Sequence, residues 1–254
     1  MSGAVRAFGG AADAARWQAR VDLAAAYRLA HRFGYSEGIC NHLTLMLPGS
    51  DDQFLLIPYG MHWSEVTAST LIAVDFDGNV TEGDGIAEDT AFFIHARLHK
   101  NAPDAACVLH THQPYATALT MVEGGRLLPV IQSAVRFYGR IAYDDEYEGL
   151  ALDNAEGDRM AACLGDKEVM FLANHGVICT GPSVAWCFDA LYYLERAAQA
   201  QVLAMSTGKP LKVLSDNMAR ATNEVMMRGV AASAERHFES LKRLLDRDEP
   251  DYKT

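Results

Sequence analysis

Two short apolar runs, each ending in histidine, constrain this chain more tightly than any other feature. Residues 106–109 (Ala-Cys-Val-Leu) lead into His110-Thr111-His112, and residues 169–172 (Val-Met-Phe-Leu) lead into Ala173-Asn174-His175-Gly176. Runs of this length and content read as buried strands. Positions i and i+2 of a strand point to one face, about 6–7 Å apart along the backbone. His110 and His112 can therefore converge on a single metal ion, and His175 offers a third ligand. Three histidines with an open fourth position form the pattern of a catalytic rather than a structural metal site. A His-x-His pair alone is as much at home on a surface or satisfied in a core. The third histidine turns the reading toward metal.

Around these runs the pattern alternates between helix and short strand. Residues 13–33 carry Trp17, Val21, Ala25 and Leu29 at helical spacing, with Gly34 as the stop. Short strands follow at 43–47, 54–57 and 71–76, with Pro48-Gly49-Ser50 and Asp77-Gly78-Asn79 as turns. Asp84-Gly85 opens a helix that contains Glu88, Phe92, Ile94 and Leu98 and closes at Asn101 and Pro103. Beyond the His110 strand the pattern gives a helix over 115–122, strands near 128–131 and 140–143, and a helix over 154–164. The His175 run pairs with 177–180 as a hairpin. A long helix covers 184–205, and 217–245 is helical with Gly229 as a candidate break. Strands cluster centrally with helices between and at both ends. The expected fold class is α/β, a three-layer α/β/α sandwich on a mixed, mainly antiparallel sheet. Residues 1–12, small and glycine-rich, read as a flexible tail. Residues 13–254 read as one domain, with a C-terminal helical segment from about 215.

Composition narrows the function. Half of the 254 residues are hydrophobic, enough for a sizeable core. The formal net charge is −11, with no run of five Lys and Arg, which argues against nucleic acid or an anionic membrane as partner. No apolar segment approaches 18 residues, and the N-terminus lacks the apolar core of a signal peptide. Cys40, Cys107, Cys163, Cys179 and Cys187 are odd in number and scattered. They read as reduced residues of a cytoplasmic protein.

Other candidate groups carry two readings each. His95 and His99 stand at i, i+4, a metal-binding spacing on a helix, but Ala96 sits where a zinc protease has Glu. An exposed or half-buried helical face is the preferred reading. Glu88, in the first turn of its helix, is favoured there by the dipole, or else serves as a general acid/base. Tyr59, Gly60, His62 and Trp63 form a packed turn or a wall of a substrate pocket. Tyr143 and Tyr147 lie in an acidic stretch that reads first as a solvated rim. No phosphate loop, G-x-G-x-x-G or G-x-S-x-G is present, which counts against a nucleotide enzyme or serine hydrolase.

His110-Thr111-His112 and Asn174-His175-Gly176 together resemble the class II aldolase/adducin family, over roughly residues 15–210. Supporting segments are Asn41-His42-Leu43-Thr44, Ile57-Pro58-Tyr59-Gly60, Glu65-Val66-Thr67-Ala68-Ser69, Leu128-Pro129 and Ala142-Tyr143. Several look closer to adducin's head domain than to the sugar-phosphate aldolases. The resemblance implies an α/β/α sandwich, a homotetramer with active sites at subunit interfaces, and a small-molecule substrate. It assigns a divalent metal to His110, His112 and His175, with Zn2+ the first expectation and Mn2+, Co2+ or Fe2+ as alternatives. It puts the acid/base carboxylate on Glu88 and looks to the Tyr143–Tyr147 loop of a neighbouring subunit for a tyrosine. Asn41, His42, Tyr59, Gly60 and His62 are the expected pocket residues.

Departures from the sugar-phosphate pattern shape the functional expectation. Family members that bind phosphate use a Gly-Asn pair, a Thr-Gly pair and two serines before the catalytic Glu. This chain reads Cys40-Asn41, Tyr59-Gly60 and Ile86-Ala87 at the matching positions. A phosphate dianion needs several donors, so a non-phosphorylated hydroxy- or oxo-compound is the expected substrate. The leading expectation is a metal-dependent lyase performing aldol-type cleavage or decarboxylation through a metal-stabilised enediolate. The alternatives are an adducin-like, non-catalytic interaction protein and a non-haem iron oxygenase on the same fold. Adducin's long basic tail has no counterpart here, the chain ending soon after Asp248-Glu249-Pro250-Asp251. The apolar residues of 184–205, Trp186, Phe188, Leu191, Tyr192, Tyr193 and Leu194, exceed what one helix face needs, which favours an oligomer.

Overall fold

The structure is a computed structural model that describes residues 10–254 apart from Pro103 and Glu148. Its strands are β1 (Leu43–Met46), β2 (Gln53–Leu56), β3 (Ile72–Asp75), β4 (Val80–Glu82), β5 (Cys107–Thr111), β6 (Ile141–Asp144), β7 (Val169–Leu172) and β8 (Gly176–Gly181). They form one sheet in the order β4-β3-β2-β1-β5-β8-β7-β6. Neighbours are antiparallel except β6 and β7, which run parallel. The helices are α1 (Ala11–Arg32), α2 (Asp89–Asn101), α3 (Pro114–Thr120), α4 (Gln132–Val135), α5 (Asn154–Leu164), α6 (Val184–Met205), α7 (Asp216–Met227) and α8 (Val230–Asp248).

Strand periodicity sorts the side chains onto the two faces of the sheet. Cys107 and Leu109 of β5 and Val177 and Cys179 of β8 pack with Leu23 of α1, Phe188 of α6 and Phe238 of α8. Val108 and Ile178 pack on the opposite face with Ile94 and Leu98 of α2 and Met160 and Leu164 of α5. Each such buried Leu, Ile or Phe contributes about 1.5–3 kcal/mol. The result is the expected α/β/α layering. His110 lies opposite Ile178 in the β5–β8 register, which turns it toward the α2–α5 layer.

Several local expectations are corrected. No strand forms over 128–131. Pro129 has no N–H for a ladder, and the segment is strapped to its surroundings instead. Leu128 N donates to Gln201 Oε1 of α6 (2.7 Å), and the Pro129 carbonyl accepts from Leu214 N (3.0 Å). Helix α2 begins at Asp89 rather than at Asp84, because Gly83 (φ 85°) and Gly85 (φ 143°) hold a left-handed approach that a helix cannot use. Edge strand β4, three residues long and without alternating apolar groups, had no signal to predict it. The tail expected over 1–12 falls mostly outside the described residues, and α1 already starts at Ala11.

Most of the apolar surplus of α6 is absorbed within the chain, Tyr193 staying exposed. The sheet covers one side, while Phe188 stacks on Phe238 of α8 and Tyr192 packs on Phe33 and His237. This weakens the α6 argument for an oligomer. The acidic C-terminus is likewise anchored. Arg28 pairs with Glu249 and Asp251, Arg32 pairs with Asp248 and Glu249, and Ala68 N donates to the Tyr252 carbonyl.

Candidate active site

His110 and His112 stand at the end of β5, and the β7–β8 turn brings His175 against them. Asn174 makes that turn with φ 55°, a left-handed conformation that Asn tolerates. Gly176 is required by close approach, since a Cβ there would lie 2.6 Å from both His112 Cδ2 and the Thr111 carbonyl oxygen. The ring centroids are 5.1 Å (His110–His112), 4.8 Å (His110–His175) and 4.7 Å (His112–His175) apart. One ring nitrogen from each lies within 4.8 Å of the others.

Hydrogen bonds select the tautomers. His110 Nδ1 donates to the Val177 carbonyl (3.0 Å), which can only accept, so its Nε2 keeps a free lone pair. His112 Nδ1 donates to the Glu37 carboxylate, and His112 Nε2 is left buried with no hydrogen-bond partner. Burial, reinforced by His175, His112 and His95, pushes His110 well below its ordinary pKa. Burial and His112 lower His175 to about 4. Neutral imidazoles with free lone pairs are the form that ligates metal. The orphaned His112 nitrogen and the all-imidazole donor set fit a divalent cation, and the Glu37 contact is the orienting bond that metal-ligating histidines usually make.

The triad opens on a cavity of about 400 Å³. Asn41, His42, Tyr59, Glu88 and Tyr147 line it, whereas Gly60 and His62 are not among its lining residues. His62 instead caps the short turn Trp63–Glu65 and stacks on His31. Asn41 (φ 71°) has a buried Oδ1 without a partner. Glu88 is the N-cap of α2, with Oε2 accepting from Ala91 N (2.8 Å) and the Thr90 hydroxyl (2.5 Å). Burial would raise its pKa, but those hydrogen bonds and His42, 3.9 Å away, outweigh burial and hold it below the usual carboxylate value. His42 is itself lowered to about 4, mainly by burial.

The two candidate tyrosines separate. Tyr143 packs on Phe171 beneath the Arg126 guanidinium, and its hydroxyl accepts from Leu127 N (3.2 Å). It does not line this cavity, while Tyr147 does. Sequence reasoning missed Glu37, which lies in a loop without periodicity. It also missed Arg159, whose guanidinium bonds Asp144 (2.8 and 2.7 Å) and Glu156 on the cavity wall.

His95 is buried and His99 half-buried, so the half-buried reading holds for His99 and the exposed one for neither. His99 Nδ1 donates to the Ala105 carbonyl (2.6 Å). Burial lowers His99 to about 4, so it is neutral and its Nε2 accepts from the Thr44 hydroxyl (2.8 Å). Thr44 Oγ1 then accepts from His95 Nδ1 (2.6 Å). Thr44→Val keeps the shape and strands both ring nitrogens, at about 1–3 kcal/mol for each buried unsatisfied group. We expect Thr44→Val to lose about 2–6 kcal/mol in urea unfolding by this reasoning, with Thr44→Ser close to wild type. Equal stability of the Val variant would contradict the relay.

Three imidazoles and a helix-capping carboxylate surround one cavity on a mixed α/β sheet, a donor set suited to a divalent cation. The comparisons place the chain further. The family model described as Class II Aldolase and Adducin N-terminal domain matches residues 21–202. A Caulobacter vibrioides protein, named provisionally as an aldolase class 2 protein, is 37% identical over 96% of this chain and 95% of its own length. An adducin-related protein of Schizosaccharomyces pombe is 32% identical over 92% of this chain and 76% of its own. The solved aldolase II superfamily protein of Pseudomonas syringae superposes with a TM-score of 0.87 at 36% identity, covering 94% of this chain and 96% of that one. The chain belongs to the class II aldolase and adducin family.

Proposed function

We propose that this protein is a divalent-metal-dependent lyase acting on a small, non-phosphorylated hydroxy- or oxo-compound, with His110, His112 and His175 as the metal ligands. One observation carries the reading. The buried, unpartnered Nε2 of His112 sits in a three-histidine cluster that shares its cavity with Glu88. His110, His112 and His175 would hold a divalent cation, zinc by preference, which would supply Lewis-acid polarisation of a substrate carbonyl or hydroxyl.

The chain's own groups do the rest. Glu88, held ionised by the Thr90 and Ala91 hydrogen bonds, takes a proton from a substrate hydroxyl or returns it to carbon. A tyrosine of the Tyr143–Tyr147 loop supplies the second proton-transfer group, with Tyr147 favoured within one chain because it lines the cavity and a neighbouring subunit's loop as the other source. Asn41 and His42 orient the substrate at the cavity floor. Five free cysteines support a cytoplasmic setting, and no described helix is long and apolar enough to cross a membrane.

Among the described residues the cavity wall bears Glu88, Asp144, Glu146 and Glu156 against one guanidinium, Arg159, which is already paired with two of them. That balance opposes a phosphate dianion. Purified protein should therefore cleave or decarboxylate members of a panel of hydroxy- and oxo-compounds and leave fuculose and ribulose phosphates untouched. Saturable cleavage of a sugar phosphate would refute the substrate assignment. No turnover at all, with metal bound, would favour the non-catalytic role that the adducin-related relative raises.

The proposal includes a homotetramer with active sites near subunit boundaries. Its support is the family and the exposed apolar groups Tyr147 and Leu150 at the cavity rim, 56% and 70% exposed, followed by the exposed Leu152. Multi-angle light scattering at micromolar concentration should give four times the 27.8 kDa chain mass. A monomer mass would remove the shared-site part of the proposal.

A further inference from the structure

A second cavity, of about 510 Å³, lies between α4, α6 and the α7–α8 junction and shares no lining residue with the first. Arg136, the C-cap of α4, forms part of its wall and is only 4% exposed. Its Nη1 donates to Asp189 of α6, whose other oxygen accepts from His237 Nδ1 of α8 (2.6 Å). Nε and Nη2 of Arg136 are buried with no hydrogen-bond partner.

Those two atoms form the side edge of the guanidinium, and their N–H bonds run parallel. A carboxylate matches that edge with two parallel hydrogen bonds. Guanidinium stays charged at any ordinary pH, so two stranded donors on it are expensive unless an acceptor is supplied. Asn223, whose amide donates to the Val135 (3.0 Å) and Arg136 (2.6 Å) carbonyls, ties α7 to α4 and fixes the arrangement. Asp189 already balances the Arg136 charge, which disfavours a phosphate dianion, and the recognition rests on the two parallel N–H donors rather than on net charge. Tyr193, Val225, Met226 and Val230 give the wall an apolar part, suited to an apolar body, with the polar Gln132, Ser133 and Ser233 on the rest of the lining. The volume falls in the range of small-molecule sites.

We propose that this cavity is a binding site for a small monocarboxylate with an apolar body, gripped in bidentate fashion by the Nε–Nη2 edge of Arg136. The proposal is independent of the chemistry assigned to the histidine cavity.

Isothermal titration calorimetry with benzoate tests it, using benzyl alcohol as the uncharged control and inorganic phosphate as the dianion. The titrations use the full chain carrying His110→Ala, so that benzoate held at the histidine cluster does not contribute. The expected result is saturable benzoate binding, with benzyl alcohol and phosphate at least tenfold weaker. Arg136→Lys, added to that background, should weaken benzoate at least tenfold. Ser233→Phe, which fills the exposed wall and leaves the Arg136–Asp189 pair in place, should do the same if the Lys variant fails to fold. Absence of saturable binding, equal binding of benzyl alcohol, or binding unchanged by both substitutions would overturn the proposal. So would a crystal structure showing the Arg136 edge filled by a side chain from a second copy.

Discussion

Replacing His110 by alanine is expected to leave the protein with less than a tenth of its divalent metal. His110 is the most deeply buried of the three ligands. Its tautomer is set by the Val177 carbonyl, so it presents a preformed nitrogen to the ion. Changing a group behind a ligand typically lowers metal affinity about 10–100-fold. Glu37→Gln, which weakens the bond to His112 Nδ1, should fall in that range, and loss of a ligand itself should exceed it. Elemental analysis of the two variants beside wild type reads both effects. Full occupancy in the His110→Ala protein would mean that the metal sits elsewhere. The His95/His99 pair is a poor substitute, because Thr44 and the Ala105 carbonyl already engage three of its four ring nitrogens.

Glu88→Gln is expected to slow turnover by about 10²–10⁴-fold, the range for a lost general acid/base, with metal content unchanged. The structure sharpens the control. Glu88 is the N-cap of α2, and a stability role alone would also explain a carboxylate there. Gln keeps an oxygen that can accept from Ala91 N, so the cap survives the change. Full loss of a cap costs about 1 kcal/mol, and Gln should lose less. Rate and melting temperature, measured on the same preparations, separate the two roles. A Gln variant of undiminished rate would assign Glu88 to the helix start alone.

The histidine cluster was legible because each ligand follows an apolar run whose length allows only a strand, and strand parity puts His110 and His112 on one side. The hairpin that delivers His175 was legible from Asn174 and Gly176. Helices α5 and α6 appear at the expected bounds, since Gly and Pro punctuate them cleanly. What was not legible depends on contacts distant in sequence. Glu37 meets His112 across 75 positions, and Thr44 meets His95 across 51. Neither Glu37 nor the Arg159–Asp144 pair carries any periodic mark. Leu128 and Val130 look like strand residues, but Pro129 and the Gln201 side chain hold them in a loop. His62 was drawn into the expected pocket by its aromatic neighbours, whereas its ring serves a local cap.

Anomalous diffraction from crystals of the purified protein, collected at the zinc, iron, cobalt and manganese absorption edges, tests the central claim most directly. The account predicts one strong peak per chain, bonded to a ring nitrogen of His110, His112 and His175 and open toward the Glu88 side of the cavity. Density with no anomalous peak among these three histidines, in protein that elemental analysis shows to carry metal, would contradict it.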